Sequence, residues 1–110
     1  MKKLLSATIL VLAGCLFLFG SPAFAGDATA GAAIFSANCA ACHIGGGNVV
    51  NGDKTLKIEA LTKYEKNTEQ AIINQATNGA GAMPSFKRLG EEAIANVAAY
   101  VLEQAEGGWK

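Results

Sequence analysis

Apolar residues recur with helical spacing in three segments of the chain, and the sequence contains no run with the alternation of a β-strand. The clearest helical segment is 91–106. Its apolar residues fall at i, i+3, i+4, i+7 and i+8: Ile94, Val97, Ala98, Val101 and Leu102. Glu91 and Glu92 favour the N-terminus of this helix and the glycines at 107–108 favour its end, while Trp109 beyond it would either pack or fray. The pattern predicts an all-α protein.

The first helix is predicted at 27–41, an alanine-rich segment with Asp27 at its start. Gly31 and Phe35 are four residues apart and therefore share one face. A glycine inside a helix costs about 1 kcal/mol relative to alanine, and close approach of another backbone is one reason to keep it. The alternative is that Gly31 is merely tolerated. We expect this face to pack against the last helix.

The middle of the chain is less regular. Residues 45–53 are rich in glycine and asparagine and predict a loop, whereas 54–61 fits either a short helix or a turn. Asn67 or Thr68 is expected to cap a further helix that ends at the Asn-Gly pair of 78–79. The apolar residues of that helix are Ala71, Ile72, Ile73 and Ala76.

The first 25 residues are interpreted as a secretory signal peptide, not as part of the fold. Lys2 and Lys3 form a basic end, an apolar run covers 4–19, and Ala-Phe-Ala at 23–25 resembles a cleavage site. Removal of this segment would leave one domain at 26–110.

Two alternatives for the leader stay open. A retained transmembrane anchor is less favoured, because Ser6, Thr8 and Gly14 interrupt the apolar run and no basic stop-transfer flank follows. The segment 12–15 resembles a lipoprotein cleavage box, which would make Cys15 a lipidated N-terminus. Against this, the apolar run continues past Cys15, where a lipoprotein would usually turn polar.

The remaining 85 residues set limits on function. With Lys2 and Lys3 removed, seven of the nine basic residues face all nine acidic ones, a formal charge of −2. A mildly acidic surface gives no basis for nucleic-acid binding and suits steering towards a protein partner. A chain of this length buries only about 60–65 per cent of its unfolded surface. Its hydrophobic core alone is therefore marginal, and a cross-link or a bound group is needed to stabilise the fold.

Cys39, Cys42 and His43 form a C-x-x-C-H motif, the attachment signature of a c-type haem. The cysteines lie about one helical turn apart, so two thiols and the adjacent imidazole can reach one macrocycle. A redox dithiol, half of a zinc site or a disulfide are the alternatives. The redox pair would need a βαβ pattern and the zinc site two more ligands, yet His43 is the only histidine. We therefore predict covalent haem attachment with His43 on the iron.

Met83 is the only methionine apart from the initiator, and it lies in a Gly/Ala-rich segment that Pro84 stiffens. A lone methionine usually fills a gap in a core. Downstream of a C-x-x-C-H motif, however, a thioether is the ligand that closes the sixth iron position in electron-transfer haems. We predict that Met83 is that ligand and that the protein carries electrons and is not an enzyme.

The residues allow two other functional classes. A haem enzyme such as a peroxidase needs an open sixth position and a polar distal group, and no histidine beyond His43 is available to act as a distal base. A subunit of a respiratory or sensory complex is the second alternative. Loss of methionine ligation would favour the enzyme, and stable association with a membrane complex would favour the subunit.

Motifs spread over 26–110 resemble those of the cytochrome c6 family. They are Gly31-x-x-x-Phe35, Asn38-Cys39-Ala40-x-Cys42-His43, Gly45-Gly46-x-Asn48, Lys54-Thr55-Leu56, Asn78-Gly79, Ala82-Met83-Pro84-x-Phe86, Arg88-Leu89, Val97-Ala98-x-Tyr100-Val101 and Gly108-Trp109. The resemblance implies a class I cytochrome c fold, with helices packed around one covalently attached haem c. It assigns covalent attachment to Cys39 and Cys42, and iron ligation to His43 and Met83.

The same resemblance implies a soluble photosynthetic carrier in the thylakoid lumen or periplasm, not embedded in the membrane. It would take an electron from cytochrome f of the cytochrome b6f complex and deliver it to photosystem I, or in some members to a terminal oxidase. Gln75 matches a glutamine that tunes the haem potential, and Arg88 matches an arginine implicated in docking to photosystem I. The segment 86–89 is one residue shorter than in many relatives, which affects the placement of Arg88. From the residues alone, Gln75 and Arg88 could equally be solvated surface groups.

Overall fold

The computed structural model describes residues 26–110. The predicted signal peptide, its cleavage site and Cys15 lie outside the described residues. The elements are α1 (Ala28–Asn38), α2 (Ala40–His43), a 3₁₀ turn (Ile44–Gly46), α3 (Ile58–Lys63), α4 (Glu69–Asn78), a second 3₁₀ turn (Lys87–Leu89) and α5 (Glu91–Gly107). Within 26–110 the only β-type pairing is an isolated bridge between Ala80 and Met83. The all-α prediction is confirmed.

Helix α1 begins where the sequence predicts but ends earlier. The Asp27 carboxylate accepts hydrogen bonds from the backbone N–H groups of Thr29 at 2.9 Å and Ala30 at 3.4 Å, which caps the helix. The single helix predicted at 27–41 is interrupted at Cys39, whose φ of −118° departs from helical values. The Asn38 side chain donates to the Ile34 carbonyl at 3.0 Å, a local bond of the kind that competes with helix continuation.

The Gly31/Phe35 face of α1 packs against α5, as expected. A Cβ atom on Gly31 would overlap the carbonyl oxygen of Asn96 and would lie 2.9 Å from Cβ of Tyr100. The rings of Phe35 and Tyr100 pack with their centroids 5.4 Å apart. Gly31 is therefore required by close backbone approach, and helices α1 and α5 form one tightly packed unit, called here the helix pair.

The core lies between the helix pair and α4. Its buried cluster is Phe35, Ile72, Val97, Ala98 and Val101. Thr68, not Asn67, caps α4, because its hydroxyl accepts the backbone N–H of Ala71 at 3.1 Å. Of the ambiguous segment 54–61, only the part from Ile58 onwards is helical. No helix within 26–110 is both long and apolar enough to span a membrane.

Candidate haem site

Of the C-x-x-C-H motif, Cys39 lies at the break between α1 and α2, whereas Cys42 and His43 lie within α2. Cys39 is half-buried and Cys42 is exposed, and both are free thiols. The carbonyl of Cys39 accepts the backbone N–H groups of Cys42 at 3.2 Å and His43 at 2.9 Å, which folds the motif into one tight turn. Burial raises the pKa of the Cys39 thiol above its ordinary value.

The His43 imidazole is held by a single defined hydrogen bond. Its Nδ1 lies 2.8 Å from the carbonyl oxygen of Gly47. Because a carbonyl can only accept, Nδ1 carries a proton, and in the neutral imidazole Nε2 then keeps a free lone pair. A backbone carbonyl on the second ring nitrogen is the usual way in which a metal-binding histidine is oriented. The geometry of His43 therefore suits an axial ligand.

The loop that supplies this carbonyl is fixed by its own polar groups. The Asn48 amide oxygen accepts the backbone N–H groups of Val50 at 3.0 Å and Asn51 at 2.8 Å, while its NH₂ donates to the Lys54 carbonyl at 2.8 Å. The backbone N–H of Val49 donates to the Cys42 carbonyl at 2.9 Å and ties the loop to the motif. Asn48 organises the loop, a role that sequence reasoning did not assign, although asparagine among glycines is typical of such turns.

Met83 lies in a segment folded back on α4. Ala80 and Met83 exchange two backbone hydrogen bonds, each of 3.0 Å, and the backbone N–H of Phe86 donates to the Ala76 carbonyl at 2.8 Å. Gly79 makes this reversal possible: its φ is +68°, and a Cβ there would lie 2.6 Å from the carbonyl oxygen of Met83. Backbone hydrogen bonds thus fix the conformation of the segment that carries the Met83 thioether, although its sequence is rich in glycine and alanine.

Gln75 points at Met83. Its side-chain Nε2 donates to the Met83 Sδ at 3.7 Å, and the side chain is half-buried. Gln75 is thus not a solvated surface residue. An N–H group directed at a thioether draws electron density away from the sulfur, while the second lone pair of the sulfur remains for a metal.

Arg88 lies in the exposed 3₁₀ turn of Lys87–Leu89. Its guanidinium carbon is 5.2 Å from the centroid of the Phe86 ring, a cation–π arrangement that limits the positions of the side chain. The structure therefore places Arg88 at the surface, close in sequence to the Met83 segment.

The residues present fit a haem. Two free thiols, an imidazole with Nε2 available and a thioether are the groups that a His/Met-ligated c-type haem requires. Large apolar side chains are exposed directly after the motif, namely Ile44 at 71%, Val49 at 68% and Val50 at 63%. No large side chain within 26–110 is fully buried. A bound apolar group would therefore enlarge the small hydrophobic core. In the same range no three His, Cys, Asp or Glu side chains converge as metal ligands.

Comparison with known proteins agrees with this site. A family model described as cytochrome c oxidase, cbb3-type, subunit III, matches residues 26–101. Cytochrome c6 of Gloeothece citriformis is 57% identical over 99% of this chain and 100% of its own length. Cytochrome c6 of Aphanizomenon flos-aquae is 64% identical over 76% of this chain and 98% of its own length. The chain belongs to the cytochrome c6 family.

The structures agree as well. The crystal structure of cytochrome c6 from the diatom Phaeodactylum tricornutum superposes with a TM-score of 0.75 at 59% identity, covering 76% of this chain and 100% of that one. The class I cytochrome c fold is therefore confirmed. Membership of the cytochrome c6 family makes the protein a haem-containing electron carrier of the photosynthetic type.

Proposed function

We propose that the protein carries single electrons from cytochrome f of the cytochrome b6f complex to photosystem I in the thylakoid lumen. A terminal oxidase, reached in the lumen or periplasm, is the second acceptor. The observation that carries this proposal is the His43 imidazole, oriented by Gly47 directly beside the two thiols, in a chain of the cytochrome c6 family. The net acidic domain is suited to brief, charge-steered contacts with other proteins.

In this proposal Cys39 and Cys42 would hold one haem c through thioethers, and His43 Nε2 and Met83 Sδ would bind its iron. When bound, the haem supplies a centre that gains and loses one electron. Because the protein fills both axial positions, no site for substrate remains and the protein is not an enzyme. The hydrogen bonds that fix His43 and the Met83 segment support a ligand set that stays the same in both oxidation states.

The visible spectrum of the oxidised and reduced protein tests this ligation. We expect a low-spin c-type spectrum with the weak near-infrared sulfur-to-iron charge-transfer band and a positive midpoint potential. A high-spin spectrum, or rapid binding of carbon monoxide, would mean that Met83 is not on the iron and would favour the enzyme class. Stable co-purification with a membrane oxidase would favour the subunit role that the matched family description raises.

Gln75 is proposed to tune the potential through its contact with the Met83 sulfur. Removal of the N–H donor makes the thioether a stronger electron donor, so Gln75→Val is expected to lower the midpoint potential by on the order of 40 mV, the equivalent of one hydrogen bond. The matched control is Gln70→Val, an exposed residue of the same helix. An unchanged potential in Gln75→Val would remove this role.

Arg88 is proposed to contact photosystem I. Arg88→Glu replaces an exposed positive charge by a negative one, and we expect about a tenfold slower reduction of photosystem I in flash experiments. Lys87→Glu makes the same change of charge at the neighbouring exposed residue and controls for net charge. Wild-type kinetics in Arg88→Glu, or an equal loss in both variants, would refute a specific role for Arg88.

Export is proposed to remove residues 1–25. N-terminal sequencing of the protein from its source should then begin at Gly26. Recovery in the membrane fraction with a lipid on Cys15 would instead favour the lipoprotein alternative.

A further inference from the structure

The C-terminal residues after α5 form a defined cap. The backbone N–H of Gly108 donates to the Ala105 carbonyl at 3.3 Å, and that of Trp109 donates to the Gln104 carbonyl at 2.7 Å. Together with the left-handed conformation of Gly108, at φ 81° and ψ 20°, these bonds make a Schellman motif. Trp109 therefore does not fray, and the cap turns its indole back towards the body of the protein.

The indole packs on the helix pair and reaches the loop that follows His43. Its ring centroid lies 5.4 Å from that of Phe35 and 6.1 Å from that of Tyr100. It also covers Gly46, where a Cβ atom would overlap the indole ring. Gly46 is buried, with φ +80°, so this close contact depends on the absence of a side chain.

Trp109 is also bonded to the far end of the same loop. Its Nε1–H donates to the Leu56 carbonyl at 2.9 Å, a contact between residues 53 positions apart in sequence. The backbone N–H of Leu56 in turn donates to the Gly46 carbonyl at 2.8 Å, which closes the loop. The next carbonyl along the chain, that of Gly47, accepts the His43 Nδ1 proton at 2.8 Å.

We propose that Trp109 is a positioning residue for the axial histidine: it clamps both ends of the 46–56 loop to the helix pair and so holds the Gly47 carbonyl against His43. The inference rests on the proposed role of His43 as an iron ligand. The strength of the Nδ1–H···O bond sets how much electron density an imidazole donates to its metal. A loosened loop weakens that bond, lowers donation and favours the reduced state.

The test uses the haem-loaded protein and two variants. Trp109→Phe keeps an aromatic ring but loses the Nε1–H donor, whereas Trp109→Ala removes both contacts. Solvent exchange of the His43 ring N–H is followed by ¹⁵N NMR in the reduced state, and the midpoint potential is measured by titration. We expect exchange to be at least tenfold faster and the redox equilibrium to move about threefold towards the reduced form in Trp109→Phe, with larger changes in Trp109→Ala.

Asn96→Ala is the matched control. It removes the side-chain oxygen that accepts the Asp27 backbone N–H at 2.8 Å, at the opposite end of the α1/α5 contact. This variant should lower the melting temperature and leave the His43 exchange and the potential unchanged. Gly46→Ala should also give faster exchange of the His43 ring N–H and a shift towards the reduced form, because its methyl group displaces the indole.

Lower melting temperatures for the Trp109 variants, with wild-type exchange and an unchanged or lower potential, would overturn the proposal and leave Trp109 a purely stabilising residue. Failure of the proposed function is seen separately, in the wild-type spectrum. Should His43 not ligate iron there, the ligation proposal fails before any variant is made.

Discussion

The helix pair and the loops that present His43 and Met83 are built in different ways. The side chains of α5 that face the core are almost completely buried, with Ala98 at 0% and Ile94 at 2% exposure. In the two segments called here the donor loops, 44–57 and 79–86, large apolar side chains such as Ile44 remain mostly exposed, at 71%. Shape complementarity maintains the helix pair, whereas backbone and side-chain hydrogen bonds maintain the donor loops.

The two regions therefore differ in the interactions that stabilise them. Burial of apolar surface contributes about 25 cal/mol per Å² to the stability of the helix pair. Individual hydrogen bonds contribute only about 0.5–1.5 kcal/mol each. The donor loops therefore have less stabilising free energy of their own than the helix pair. They gain most from a bound apolar group, because the first loop directly follows His43 and the second contains Met83.

The largest expected effect follows from removing the proposed attachment points of the haem. Cys39→Ser/Cys42→Ser cannot form thioethers, and we expect the haem-free variant to lose most of its helical circular-dichroism signal, because a domain as small as 26–110 has little core to spare. Ala41→Ser lies in the same motif and is exposed, so it should keep the wild-type spectrum. A native-like helical spectrum in the haem-free variant would show that the helix pair alone sustains the fold.

Two glycine substitutions are expected to have intermediate effects on stability, one in the helix pair and one in the donor loop that contains Met83. Gly31→Ala forces a methyl group into the Asn96 carbonyl and should destabilise the helix pair by about 2 kcal/mol while leaving the sulfur-to-iron band intact. Gly79→Ala meets both a positive φ and the Met83 carbonyl, so it should cost about 1–3 kcal/mol and weaken or abolish that band. Thermal melts and near-infrared spectra measure the two effects.

Gly52→Ala is the matched control, because nothing lies within 4 Å of a Cβ at that position. It should leave both the melting temperature and the band close to wild type. Loss of the band in Gly31→Ala as well as Gly79→Ala would mean that the two regions are not independent.

The sequence predicted the helix pair well, because burial produces a periodic pattern. The segment predicted at 91–106 is observed as Glu91–Gly107, and the close approach at Gly31 is present. The break at Cys39 was missed, since the surrounding residues are good helix formers and the interruption depends on backbone geometry. The sequence does not predict whether Trp109 packs or frays, because its contact with Leu56 joins distant parts of the chain.

The sequence predicts a haem site because the residues proposed to bind the haem are nearly contiguous. The spacing of Cys39, Cys42 and His43 is a local signal. The Gly47 carbonyl that orients the imidazole could not be predicted, because every residue carries such a group and the fold selects one. The contact of Gln75 with Met83 likewise has no local signal, and only the family resemblance suggested a role for Gln75.

The smallest expected effect tests a second helix cap of the same geometry. After α3, the backbone N–H of Lys66 donates to the Leu61 carbonyl at 2.6 Å, and Glu65 adopts a left-handed conformation with φ 57°. A glycine is usual at this position, and Glu65 is exposed. Glu65→Gly should therefore stabilise the protein by about 0.5–1 kcal/mol, raising the melting temperature by roughly 2–8 °C.

Trp109 provides the opposing case, since it also has a positive φ, of 59°. Trp109→Gly relieves the same backbone strain but removes the indole contacts with Phe35, Gly46 and Leu56. Its melting temperature should fall while that of Glu65→Gly rises. If both substitutions raise the melting temperature, backbone conformation and not the indole contact governs the stability of this end of the helix pair. Opposite signs would show that the contact with the donor loop at 44–57 outweighs the strain of its left-handed backbone.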